Sequence, residues 1–170
     1  MALDIRLVEQ YDEQIFQELV HRNLEAGEGF IPAWDFQTPG DQTFQKSARR
    51  IRIGAFDNGR LVALSWGEAQ SKTRFMMHMS LVEREYRERG IYSQMLTMML
   101  TETKEFDEVD SCHQIFNNQI IATKLKQGFY IIGIDHSIMI GPRVLLRYFH
   151  NQKLFDLIRF RVGLTPDPRL

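Results

Sequence analysis

Between Leu81 and Ser93 the chain reads Leu-Val-Glu-Arg-Glu-Tyr-Arg-Glu-Arg-Gly-Ile-Tyr-Ser, and these residues hold the components of an anion site. An apolar stretch, Arg74 to Val82, precedes them, and a helical pattern, Ile91 to Glu105, follows. The first turn of such a helix leaves backbone N–H donors without internal partners, and the helix dipole adds positive character there. A phosphate or diphosphate is the natural occupant. Gly90 allows close approach to the backbone, and Arg87 and Arg89 bring positive charge to the same place. Glu83, Glu85 and Glu88 interleave with those arginines, so a solvated charged turn fits the same residues.

Other reactive side chains are sparse. The five histidines (His21, His78, His113, His136 and His150) show no metal-ligand spacing, and no metal is expected. Cys112 is the sole cysteine, so no intrachain disulfide can form. Its place in the middle of a strand pattern fits a core position better than a nucleophile.

The elements that must position these residues are legible from periodicity. Ala2 to Val8 alternates as a half-buried strand, with Leu3, Ile5 and Leu7 on one face. Asp12 can cap a helix whose stripe is Ile15, Phe16, Leu19 and Val20. Gly27 to Pro39 is loop-like yet carries Phe30, Ile31, Trp34 and Phe36, and Thr38 starts a helix running to about Arg50. Ile51 to Phe56 and Leu61 to Glu68 form a hairpin around Asn58-Gly59. Arg74 to Val82 is a strand with Met76, His78 and Ser80 on one face and Phe75, Met77, Met79 and Leu81 on the other. Beyond the helix at Ile91, strand patterns span Glu108 to Phe116, Phe129 to Ile140 and Val144 to Phe149. Asn118 to Gln127 is a short helix, and Asn151 to Val162 a last one closed by Gly163. Hairpins mixed with strand–helix–strand units predict an α/β fold with a mixed sheet.

At 170 residues the chain fits one domain, and its 44% hydrophobic and 25% charged fractions are ordinary for a soluble globular protein. A net charge of −1 argues against a nucleic-acid or anionic-membrane partner. The charged N-terminal twenty residues do not fit a signal peptide, and no apolar run reaches membrane-spanning length. A cytoplasmic location is the expectation.

Arg87-Glu88-Arg89-Gly90-Ile91-Tyr92 resembles the cofactor signature of the GNAT acetyltransferase family: Arg or Gln, two residues, Gly, one residue, then Gly or Ala. Tyr92 departs from it, standing where the family has a small residue. A second similarity follows, an Asn, a helix and a Gly-Phe pair opening a strand, here Asn117, Ile120 to Lys126, and Gly128-Phe129. The resemblance covers residues 2–150. It implies the GNAT acyl-CoA acyltransferase fold over residues 1–150, with the helix and tail of residues 151–170 packed on that domain or on a second subunit. A homodimer is one implied arrangement.

The resemblance also implies acetyl-CoA as co-substrate and direct attack of a primary amine, on a small molecule or peptide, on the thioester. The strand before the signature and the next parallel strand would splay to admit the pantetheine arm. The backbones of Leu81 and Val82 would pair with that arm. The amides of Arg89, Gly90, Ile91, Tyr92 and Ser93 would hold the diphosphate, and Asn117, also readable as a helix cap, would line the other wall. An alkylammonium is protonated at neutral pH and needs a base. His78 leads, with Glu68 and Glu83 as rivals, each weighed against a purely structural role. The family's acid, a tyrosine, falls at Lys124, where a lysine could protonate or neutralise the thiolate; a surface lysine is the simpler reading. Phe30 and Trp34 are candidates to line the acceptor pocket or to close the core beneath their loop. Tyr92 and Lys124 also leave room for an alternative, a catalytically impaired acyl-CoA-binding sensor or scaffold.

Overall fold

The computed structural model describes residues 3–24, 49–137 and 141–166, and their alternating apolar stretches assemble into one seven-stranded sheet. The strands are β1 (Asp4–Leu7), β2 (Arg50–Asp57), β3 (Arg60–Ala69), β4 (Arg74–Val82), β5 (Glu108–Gln114), β6 (Tyr130–Ser137) and β7 (Gly141–Phe149). The described helices are α1 (Glu13–Leu24), α2 (Ile91–Glu102), α3 (Asn118–Lys126) and α4 (Gln152–Arg161). Spatial order is β1-β2-β3-β4-β5-β7-β6. Every neighbouring pair is antiparallel except β4 and β5, which run parallel.

Local chemistry sets these boundaries. Asn58 and Gly59 sit at φ 50° and 84°, the positive angles of a tight turn, and close the β2–β3 hairpin. The Asp12 carboxylate accepts from the Ile15 amide at 3.1 Å and starts α1. Asn151 caps α4 in the same way, accepting from the Leu154 amide at 3.2 Å. Phe155 of α4 stacks on Phe149 at 5.5 Å and meets Tyr130 at 4.9 Å, so this helix rests against β6 and β7.

Two apolar layers sandwich the central strands. Ile91, Met95, Leu96 and Met99 of α2 pack with Ile51, Ile53, Phe75, Met77, Val109 and Phe129. On the other face Leu19 of α1 meets Leu61 and Leu64, with Phe16, Trp66, Met79 and Leu81 beside them. Met95 and Met99 are wholly buried, and truncation of a methionine so placed costs about 2–5 kcal/mol.

Several sequence expectations change. Phe75, Met77, Met79 and Leu81 do not share one face. Met79 pairs with Trp66 and Met77 with Gly67, so His78 is an extra residue on β4. Such a bulge inverts the alternation beyond it. Phe75 and Met77 therefore join the α2 layer, whereas Met79 and Leu81 join the α1 layer. Gly67, opposite the bulge, has room for nothing larger, since a Cβ there would lie 2.3 Å from the Met76 carbonyl oxygen. Arg50 begins β2 rather than ending a helix, Leu7 and Ile15 are largely exposed, and α2 stops at Glu102. The loop carrying Phe30, Trp34 and Phe36, and most of the helix expected from Thr38, lie outside the described residues.

Candidate cofactor cleft and catalytic residues

The site begins where two strands part. β4 and β5 pair only from Arg74–Glu108 to Met77–Ser111. Both strands continue, β4 to Val82 and β5 to Gln114, without pairing to each other. Backbone groups of His78 to Val82 that face this side have lost their ladder partners, which makes the strand edge an acceptor and donor row for an inserted ligand. On its other side β4 is held by β3, and the Ser65 and Ser80 hydroxyls lie 2.8 Å apart.

The wide end of the cleft is a cavity of about 390 Å³ lined by Leu81, Val82, Arg87, Gly90, Tyr92 and Asn117, among others. Its floor is the turn into α2. Glu88 and Gly90 both have positive φ, 62° and 73°, a backbone form that turns successive amides toward one concave side. The first bond of α2 runs from the Gln94 amide to the Gly90 carbonyl at 3.1 Å. The amides of Ile91, Tyr92 and Ser93 are therefore donors outside the helix's own ladder. A Cβ on Gly90 would meet only the Gln94 side-chain amide, 4.0 Å away, so this surface is open.

The two arginines of the turn behave differently from each other. Arg87 lines the cavity, while its guanidinium donates to the Val82 carbonyl at 3.1 Å and to Asn23 at 3.2 Å. Arg89 is not among the lining residues. It lies 5.0 Å over the Tyr86 ring, and the Tyr86 hydroxyl donates to Asp57 at 2.7 Å. Tyr92 places its ring against the α2 layer. Its hydroxyl is buried with no partner among the described residues, and burial pushes its phenol well above the ordinary value.

Asn117 is the N-terminal flank of α3, but its side chain makes no capping bond. It stands on the wall of the wide cavity and also of a second one, about 240 Å³, at the narrow end of the cleft. Met77, His78, Ser111, Cys112, His113 and Lys124 line that narrower space.

Lys124 is the main correction to the sequence reading. It is 1% exposed rather than a surface residue. Its Nζ lies 3.3 Å from Met77 Sδ and 4.4 Å from the Phe129 ring centre. Burial lowers its pKa to about 7, a nearby Cys112 opposing that shift. The signal was present: Lys124 follows Ile120 by four and Ile121 by three, on one face of α3. His113 is held near 3 by burial and by Lys124, and its Nε2 is 3.1 Å from the Ser111 hydroxyl.

Two of the three carboxylate and imidazole candidates come together. His78 Nε2 is 3.3 Å from Glu68 Oε1, and Arg50 Nε donates to the other oxygen of Glu68 at 3.0 Å. The Trp66 and His78 rings lie 4.6 Å apart. Burial lowers the His78 pKa, while the charge and hydrogen bond of Glu68 raise it. Glu83 is elsewhere. It is 6% exposed and held by Arg22 at 2.7 Å and by Arg60, which ties α1 and β3 to the turn. Phe30 and Trp34 lie outside the described residues.

No family model matches the chain, and no curated protein matches its sequence. Solved structures do. The chain superposes on an Escherichia coli ribosomal-protein alanine N-acetyltransferase with a TM-score of 0.69 at 14% identity, covering 89% of this chain and 96% of that one. A GNAT-family acetyltransferase from Streptococcus pneumoniae gives 0.68 at 18% identity, covering 87% and 99%. A Bacillus subtilis acetyltransferase in complex with CoA gives 0.64 at 15% identity, again covering 87% and 99%. Strand order, the parted parallel pair and these superpositions agree: the chain has the GNAT acyltransferase fold.

Proposed function

We propose that this protein is an acetyl-CoA-dependent N-acetyltransferase acting on a primary amine of a small molecule or peptide. The parting of β4 from β5 beyond Met77, in a cleft that ends on the open amides after Gly90, carries this reading. The amides of Gly90 to Ser93 would take the diphosphate, and the backbones of Leu81 and Val82 would bond the pantetheine arm, Arg87 giving up its bond to the Val82 carbonyl. Asn117 would close the opposite wall. The CoA-bound and acetyl-CoA-bound structures of the same fold support acetyl-CoA as the co-substrate.

In this reading His78 removes the proton from the substrate ammonium. With Nε2–H donated to Glu68, Nδ1 keeps its lone pair, and burial keeps the ring neutral at physiological pH. Glu68, anchored by Arg50, fixes the tautomer and steadies the imidazolium that forms. The freed amine attacks the thioester carbonyl, and unpaired β4 amides are available to the oxyanion.

Measuring release of free CoA across a panel of primary amines, with the bound cofactor verified by calorimetry, tests the proposal. Amine-dependent release is expected. Tight acetyl-CoA binding without turnover on any amine would instead favour a sensor or scaffold.

A further inference from the structure

The narrow cavity is lined by a primary amine of the chain itself. Lys124 is almost wholly buried, and its Nζ meets the Met77 thioether sulfur and the face of the Phe129 ring. His78 on β4 and Cys112 and His113 on β5 stand on the same wall, and among the described residues no acid lines it. Arg143 of β7 adds a further cation, donating to Cys112 Sγ at 3.4 Å. An ammonium taken out of water without a carboxylate partner is strongly disfavoured, so this side chain gives up its proton readily and titrates at about 7. The other described lysines, Lys72, Lys104, Lys126 and Lys153, are exposed.

A lysine desolvated in this way is a nucleophile, because its nitrogen keeps a free lone pair. The wide and narrow cavities share Ser80, Leu81 and Asn117, so they are consecutive stretches of one cleft. On the acetyl-transfer reading above, on which this inference rests, the pantetheine arm runs beside Val82 and Leu81. Continued along β4, it brings the acyl end to Ser80 and His78, on the wall that Lys124 shares. We propose that Lys124 is a self-acetylation site, taking the acetyl group from bound acetyl-CoA when no acceptor amine is present. The neutral Nζ bonds to the thioester carbonyl carbon, and collapse of the adduct breaks the carbon–sulfur bond. The electron pair leaves on sulfur, one of the two nitrogen protons goes with it, and CoA departs as the thiol. The product is an uncharged amide, which removes the unpaired cation from its buried place. Its acetyl group takes up room in the narrow cavity, so the reaction blocks the acyl end of the cleft.

The test uses the wild-type protein and acetyl-CoA with no amine added. Intact mass follows the gain of acetyl groups, and peptide mapping with a protease that ignores lysine locates them. Lys124 should gain its group at least about tenfold faster than Lys72, Lys104, Lys126 or Lys153, since it alone is held beside the donor. Excess desulfo-CoA should suppress that gain and leave the exposed lysines unchanged. In urea Lys124 should react no faster than they do. Calorimetry on the same preparation records whether acetyl-CoA binds. Binding without preferential gain at Lys124 would overturn the proposal and leave the acetyl-transfer reading standing. Gain on Cys112 in place of Lys124, recognised by its loss in hydroxylamine, would overturn it as well. If the wild type binds no acetyl-CoA, the acetyl-transfer reading itself falls, and this proposal with it.

Discussion

The carboxylate of Glu68 stands 3.3 Å from Nε2 of His78, across the bulge that adds one residue to β4. Without the bulge His78 would keep strict alternation with Met77 and Met79. With it, the imidazole lies against Trp66 and Glu68 beside the open edge of its own strand. The irregularity in the sheet thus sets the geometry of the candidate base.

His78→Ala should lower kcat by about 10²–10⁴-fold while acetyl-CoA affinity stays near wild type. The acid limb of kcat/KM should fall below the usual histidine range, because burial disfavours the imidazolium. Glu68→Gln should move that limb lower still, since the carboxylate now raises the His78 pKa. PH–rate profiles of the three proteins check both statements.

Glu83 separates two roles that the sequence left open. Its ion pairs with Arg22 and Arg60 predict that Glu83→Gln loses about 1–3 kcal/mol of stability, read by urea denaturation. The acid limb of its pH–rate profile should not move. A shifted limb at unchanged stability would make Glu83 the base instead.

Gly67→Ala should destabilise the fold by about 1–3 kcal/mol, since its Cβ would press on the Met76 carbonyl and the Met77 Cα. The backbone atoms it meets belong to the strand that carries His78, so turnover should drop with stability. Thermal unfolding and a CoA-release assay on the same preparation measure the two losses.

Lys124→Met should be as stable as the wild type or more so. In the folded wild type this lysine titrates at about 7 against an ordinary 10.5, so between those values the unfolded chain binds more protons. Its contribution to stability therefore rises with pH through that window. The advantage of the methionine variant should be largest at or below pH 7 and should shrink toward pH 10. Denaturant midpoints of both proteins at several pH values would show this.

Much of this architecture was legible because local signals agreed. Asn58-Gly59 forced a hairpin, the Asp12 cap started α1, and Arg74 to Val82 has the bounds that its alternation predicts. Gly90 followed from local chemistry and Asn117 from the family resemblance, and both line the wide cavity. What escaped depended on tertiary contacts. A bulge leaves no mark on a run of apolar residues such as Phe75 to Leu81, and only pairing with Trp66 and Gly67 reveals it. Lys124 was misplaced because charge type outweighed its spacing from Ile120 and Ile121. Glu83 reads as one more acid of a charged turn until Arg22 and Arg60 converge on it.

The most direct measurement is a calorimetric titration of acetyl-CoA into the wild type, Gly90→Asn and Gly90→Asp. Both variants place a side chain of nearly equal size at φ 73°, where Asn and Asp are tolerated better than other residues, so they share the same backbone strain. They differ in one negative charge beside the helix start. The account predicts micromolar-range binding by the wild type, weaker binding by Gly90→Asn, and at least a further tenfold loss, about 1.4 kcal/mol, in Gly90→Asp. Equal affinities for the two variants would contradict it, as would a wild type that takes no acetyl-CoA.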